Sequence, residues 1–250
     1  MLLTSRSNPR YDRQSRTTVQ QLYLNSEEHL KRKIRTISLR LPFRLGSVNC
    51  YIVKTDEGFV LIDTGASNRR KDVEKELEGA GCRPGDLRLI ILTHGDFDHT
   101  GNAAYLRSKF GAKIAMHRDD AGMLERGDIF WNRKSGNFLL RAVASFLFRF
   151  GKSQRCRPDL YIDEGDDLSE YGFDARTLHI PGHSKGSIAM LTADGALFCG
   201  DLLEYKCRPV LNNIIDDRVV AQASFERLKR LKANSVYPGH GQSFPMESFR

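Results

Sequence analysis

Between His94 and His99 the chain concentrates two imidazoles and two carboxylates, in the run Thr93-His94-Gly95-Asp96-Phe97-Asp98-His99-Thr100-Gly101-Asn102. Imidazole nitrogens and carboxylate oxygens are the donors that hold zinc, iron or manganese. Three later fragments each add one donor on a glycine-containing turn: Pro181-Gly182-His183-Ser184, Gly200-Asp201 and Pro238-Gly239-His240-Gly241. Alone, each of the three is weak, because a histidine beside a turn is more often an ordinary hydrogen-bonding residue. Together, His94, Asp96, Asp98, His99, His183, Asp201 and His240 suffice for two adjacent divalent ions with room left for water.

Two cations about 3.5–4 Å apart can bridge a water, make it hydroxide near neutral pH, and polarise a carbonyl or phosphoryl oxygen. In this scheme Asp98 is the catalytic candidate, binding metal and also orienting the nucleophile or carrying a proton. No serine or cysteine nucleophile is required, and Ser184 reads as structural.

Such donors need strand ends to present them. Residues 87–92 form a short apolar run that ends at Thr93-His94, and ligands of layered α/β folds lie beyond the carboxyl ends of strands. Further strands are expected over 34–45, 48–54, 59–62, 113–116, 176–180, 188–192, 196–199 and 235–237. Helices are expected over 70–78, 99–110, from 117 onward, and over 217–232 with Val219, Val220, Ala223, Leu228 and Leu231 facing inward. Two β-rich halves, each with helices, suggest two packed sheets covered outside by helices.

The 250 residues are 40% hydrophobic and 28% charged, an ordinary globular composition. Half of the +8 net charge lies in residues 1–33, where seven basic residues face three acidic ones, so the excess belongs mainly to a tail and no nucleic-acid partner is expected. That stretch, rich in Arg, Ser, Thr and Gln, reads as a flexible N-terminal extension. No run is long enough to cross a bilayer, and no apolar run after the basic start resembles a secretory signal. Cys50, Cys82, Cys156, Cys199 and Cys207 are odd in number and never form a CxxC pair, which points to a reducing cytoplasm rather than a disulfide framework. In residues 138–150 only Arg141, Ser145 and Arg149 are polar, so a helix there would be apolar over most of its circumference. It is expected to cover the domain or its active site ahead of anchoring to a membrane surface, with a homodimer contact or an apolar substrate lid as the other readings.

The ordered series THxxxDH, PGHS, GD and PGHG resembles the motif pattern of the metallo-β-lactamase superfamily. Leu61-Ile62-Asp63-Thr64-Gly65 resembles its first motif, whose Asp supports the metal loop. The resemblance covers residues 34–249 and implies a four-layer αββα sandwich of the α/β class, a domain over 34–250 with a helical insertion around 118–160. It further implies that His94, residue 96 and His183 hold one metal, that Asp98, His99 and His240 hold the other, and that Asp201 bridges both. Asp96 departs from the superfamily's HxHxDH, which has a second histidine there. A carboxylate is a harder, anionic ligand and favours iron or manganese somewhat more than imidazole does, with zinc remaining the expected metal.

The resemblance thus implies a metal-dependent hydrolase that turns a dimetal-bound hydroxide on a small-molecule ester, thioester, lactone or phosphoester. A dimetal iron oxidoreductase related to the flavodiiron group is the alternative, because that group carries Glu where this chain has Asp96. A metal-binding module without turnover is the third reading. Tyr205, Lys206 and Arg208 offer anion contacts, and Phe130 and Trp131 either line an apolar pocket or pack beneath a helix.

Overall fold

Side-chain alternation along the strands sorts the apolar residues into three separate layers. A computed structural model describes residues 33–42, 46–133 and 151–249. Strand β2 (Ser47–Thr55) sends Val48, Cys50 and Ile52 to one face and Tyr51 and Val53 to the other; β3 (Gly58–Ile62) does the same with Phe59 and Leu61 against Val60 and Ile62. With both faces buried, these strands read as near-continuous apolar runs, as does β4 (Leu87–Ile91).

The first sheet runs β1 (Ile34–Arg40), β2, β3, β4, β5 (Lys113–Met116), β6 (Leu160–Tyr161); its first three strands are antiparallel and the rest parallel. The second runs β12 (Phe244–Pro245), β11 (Ser235–Gly241), β9 (Ala196–Tyr205), β8 (Ile188–Thr192), β7 (Ala175–His179), with β10 (Pro209–Leu211) also paired to β9. Helices α1 (Arg70–Gly79) and α3 (Ala103–Phe110) cover the first sheet through Val73, Leu77, Leu106 and Phe110. Helix α5 (Arg218–Lys229) covers the second through Ala221 and Leu228. Between the sheets lie Tyr51, Ile62, Ile91, Met190, Phe198 and Tyr237. Each fully buried side chain of this kind contributes about 1.5–3 kcal/mol by leaving water. The result is the expected αββα sandwich.

Several expectations need correction. The helix expected over 99–110 is two pieces, α2 (Phe97–Thr100) and α3, because the Asn102 side chain donates to the carbonyls of Thr64 and Ala66 at 2.8 and 3.0 Å and pulls the chain out of register at Gly101-Asn102. Strand β9 does not end at Cys199: it continues through Asp201 to Tyr205, with Gly200 at φ +49° taking up the bend. Likewise β11 carries His240 within the strand, past shifts of register at Pro238. On α5 the inward face is Ala221, Ser224 and Leu228, while Val219 and Ala223 face solvent. The Asp217 carboxylate caps the helix by accepting from Val219 N and Val220 N, which sets this phase. In the 118–160 insertion, α4 (Arg118–Arg126) and the turn after it are described. Residues 1–32 and the 137–150 segment, with the extension and the homodimer contact expected of them, lie outside the described residues.

Candidate metal centre

All seven expected donors meet at one edge of the two sheets. Residues 94–99 follow β4 of the first sheet; His183 follows β7, Asp201 lies on β9 and His240 on β11, all of the second. The centre therefore straddles the seam between the halves.

Four histidines share one orientation, Nε2 inward and Nδ1 tied behind. His183 Nδ1 lies 2.6 Å from the Ile214 carbonyl, and His240 Nδ1 lies 2.7 Å from the Ser47 carbonyl. Carbonyls only accept, so Nδ1 carries a proton, and Nε2 is left as the ring atom that can offer a lone pair to a cation. His99 Nδ1 lies 2.8 Å from Asp63 Oδ2. His94 Nδ1 lies 2.9 Å from Thr93 Oγ1, whose hydroxyl donates to the same Asp63 oxygen at 2.8 Å. One carboxylate thus orients two imidazoles, one directly and one through a hydroxyl. Asp63 adopts φ +58°, an uncommon conformation for a residue with a side chain, at the end of β3. Its supporting role was expected from the sequence; its reach to His94 was not.

Around the inward atoms the donors sort into two groups with one shared member. His183 Nε2 lies 3.1 Å and His94 Nε2 3.6 Å from Asp96 Oδ2. Asp98 Oδ2 lies 3.6 Å from His240 Nε2 and 4.0 Å from His99 Nε2. Asp201 reaches His99 Nε2 with one oxygen (3.2 Å) and His240 Nε2 with the other (3.0 Å), and it also groups with His94. His94 Nε2, His99 Nε2 and Asp201 Oδ1 are buried with no hydrogen-bond partner, so at 3.2 Å His99 and Asp201 are misaligned for bonding one another. Unpartnered buried polar atoms are costly, and aimed into one space they fit cations. Gly239 keeps that space open, since a Cβ there would run into Asp201 and His99.

The electrostatics follow from crowding three carboxylates. Burial alone would raise Asp96, but the Arg133 guanidinium, with His183 and His94, holds its carboxyl well below the usual carboxylate range. Asp98 is displaced upward, by burial and by Asp201 and Asp96. Burial would lower His240, yet the Asp201 carboxylate pushes it up to about 9.

Two supporting residues escaped the sequence reading. Asp120, fully buried near the start of α4, accepts from Gly95 N at 3.1 Å, from Ser184 Oγ at 2.6 Å and from Gly186 N at 2.8 Å. It follows the end of β5 at the same edge, so the strand-end rule that found the other donors also points to it. Arg133 donates to Asp96 Oδ1 at 2.7 Å, and nothing in its sequence context marks it. Ser184 is structural, as expected. Trp131 packs on α4, where a Cβ at Gly122 would collide with its indole, and Arg126 lies 3.9 Å over its ring. Tyr205 stacks on Phe244 and Lys206 Nζ pairs with Glu204 at 2.8 Å, so both are engaged within the protein.

His117, Asp119 and His179 form a further donor group. Their geometry is that of a staple. The two rings stack in parallel (4.3 Å, 6°), which sets their in-plane lone pairs side by side and not toward one point. His117 Nδ1 accepts the Asp119 amide as the cap of α4, and His179 Nε2 meets the Lys185 carbonyl.

Comparison with known proteins agrees with this geometry. The acyl-coenzyme A thioesterase MBLAC2 of Bos taurus is 29% identical over 220 residues, covering 80% of this chain and 75% of its own. The hydroxyacylglutathione hydrolase GloC of Haemophilus influenzae is 27% identical over 168 residues, covering 65% and 70%. Among solved structures, TTHA1623 in a di-iron-bound form superposes with a TM-score of 0.65 at 27% identity, over 86% of this chain and 96% of that one. The family description "Metallo-beta-lactamase superfamily" matches residues 43–240, and to that superfamily the chain belongs.

Proposed function

We propose that this metallo-β-lactamase-fold metallohydrolase cleaves a thioester with two divalent ions held by His94, Asp96 and His183 and by Asp98, His99 and His240, with Asp201 shared. The observation that carries the reading is the convergence of four inward Nε2 atoms and three carboxylates on one space at the strand ends, with His94 Nε2, His99 Nε2 and Asp201 Oδ1 buried and unpartnered. When bound, the cations supply an acidified water and a Lewis acid for the carbonyl oxygen.

The chain's own residues do the rest. Asp63, Thr93 and the carbonyls of Ser47 and Ile214 hold the imidazoles with Nε2 inward. Asp98, on the inner face with Oδ2 3.6 Å from His240 Nε2, is placed to carry the proton that water gives up on adding to the carbonyl carbon. The carbon–sulfur bond breaks and that proton ends on the departing sulfur. Thioesters are favoured over the other members of the ester, lactone and phosphoester group because the acyl-CoA and acylglutathione hydrolases both rank among the similar proteins. The exposed side chain of Ile214, whose carbonyl holds His183, gives the rim an apolar element suited to an acyl group.

The test is thiol release by the metal-loaded protein from an acyl-CoA and from a hydroxyacylglutathione, beside a lactone and a phosphodiester. Thiol release abolished by Asp98→Asn supports the reading; turnover confined to the phosphodiester sinks it. Redox chemistry with iron is the second reading, favoured by the carboxylate at position 96 and the di-iron form of TTHA1623. Oxygen consumption with a reductant by the iron-loaded protein would establish it.

A further inference from the structure

We infer that Asp96 and Arg133 act as one neutral ligand unit, in which the guanidinium neutralises the carboxylate and commits one of its oxygens so that only the other faces the first metal. The inference rests on the two-metal reading above and concerns how this chain completes the first of the two sites.

The geometry divides the Asp96 carboxylate cleanly. Oδ1 accepts from Arg133 Nη2 at 2.7 Å; Oδ2 faces His183 Nε2 at 3.1 Å and His94 Nε2 at 3.6 Å. A carboxylate free to rotate can bind a cation through both oxygens or turn away. One whose outer oxygen holds a charge-assisted bond presents a single donor in one direction, as an imidazole does. Both side chains are largely withdrawn from water, 12% and 17% exposed, so the pairing is little screened.

The charges point the same way. Asp96, Asp98 and Asp201 bring three negative charges to a centre whose imidazoles are neutral when they ligate a cation. Arg133 returns one positive charge at Asp96, so the pair sums to zero and the centre keeps the net charge of a two-carboxylate set. Without the arginine, a third buried carboxylate would face its neighbours uncompensated.

Arg133 is held from both sides. Trp131 is seated on Gly122 of α4 under Arg126. Asn132, at φ +60°, donates to the Asp119 carbonyl at 3.2 Å and accepts from Lys185 Nζ at 2.8 Å. The turn is thereby tied to α4 on one side and to the loop that carries His183 on the other, and this delivers the guanidinium to Asp96. Arg133 is thus a positioning residue for a metal ligand.

The test is zinc binding to the full-length, metal-stripped chain by competition with a chelator, resolved into two sites, for wild type, Arg133→Met, Arg133→Lys, Asp96→His and the Asp96→His/Arg133→Met double variant. Supporting outcomes are a first-site loss of at least about tenfold in Arg133→Met with the second site unchanged, and no loss when the same change is made with histidine at 96. Arg133→Lys keeps the charge without the fork and should fall between; it also decides the matter if Arg133→Met does not fold. Unchanged or tighter zinc in both position-133 variants, or an equal loss in the Asp96→His background, overturns the inference while leaving two metals in place. A wild-type chain that binds one zinc or none overturns the two-metal reading itself.

Discussion

Asp120 accepts the Ser184 hydroxyl at 2.6 Å, and through that bond the start of α4 is joined to the loop that carries His183. The same carboxylate accepts from Gly95 N, beside His94, so one buried side chain braces two segments that carry candidate ligands from opposite halves. Asp120→Ala strands the amides of Gly95 and Gly186 in a dry interior. The expected cost is at least about 3 kcal/mol in denaturant unfolding, with weakened metal retention at the His94–Asp96–His183 site. Full stability in this variant would show that the brace is dispensable.

Asp63→Asn retains the shape and an acceptor for Thr93 N but removes the charge that holds His99 and, through Thr93, His94. Metal affinity should drop about 10- to 100-fold, at both sites and not one, with the fold intact by circular dichroism. Loss at a single site would mean that the hydroxyl relay to His94 carries no weight.

Acidity offers a check on the metal-free form. Burial would lower His240, but Asp201, 3.0 Å away, raises it from an ordinary 6.5 to about 9. The folded chain then holds this proton more tightly than the unfolded chain does. Its contribution to stability is complete below about pH 6.5 and is lost as the pH rises through about 9. Melting of chelator-treated protein should shift downward across that window, and the shift should shrink in His240→Gln. With saturating zinc the trend reverses, since metal and proton compete for Nε2.

The thiols give an independent readout of packing. Cys50, Cys82 and Cys199 are buried, and burial pushes Cys82 up to about 12 and the half-buried Cys156 up to about 11. Cys207 is exposed. Of the five thiols, a native sample should label one rapidly with a thiol reagent, and mass mapping should locate it at Cys207. Fast modification of Cys50 or Cys199 would contradict the packing of helices against the two sheets.

The segments that carry the candidate donors were legible because each begins where an apolar run stops: Leu92 gives way to Thr93-His94, Ile180 to Pro-Gly-His183, Cys199 to Gly-Asp201. Local sequence records that transition. It does not record that β9 survives Gly200, since strand continuation depends on β10 and β11 arriving as partners from later in the chain. The phase of α5 was misjudged for a similar reason: Val219 looks like a core residue, and only the cap at Asp217 and the docking of Ser224 Oγ on the Pro181 carbonyl turn it outward. Arg133 was invisible because its meaning comes from a carboxylate thirty-seven residues away. Two packed sheets and donors at strand ends needed only local patterns, the αββα sandwich and its metal edge came from the family resemblance, and the supporting shell needed the fold.

The delivery of Arg133 by a turn seated on Gly122 has a consequence for inheritance. Position 96 and the turn at 131–133 lie in separate stretches of sequence, as does Gly122 on α4, yet a change at one alters what the others can be. On the proposed role of the pair, a lineage that exchanged imidazole for aspartate at 96 before acquiring the arginine would pass through a form with a weakened first site. Gain of both in close succession, and loss of both together when histidine returns, is the history this geometry permits most easily. Among relatives, the arginine should therefore track the aspartate and not the overall degree of kinship.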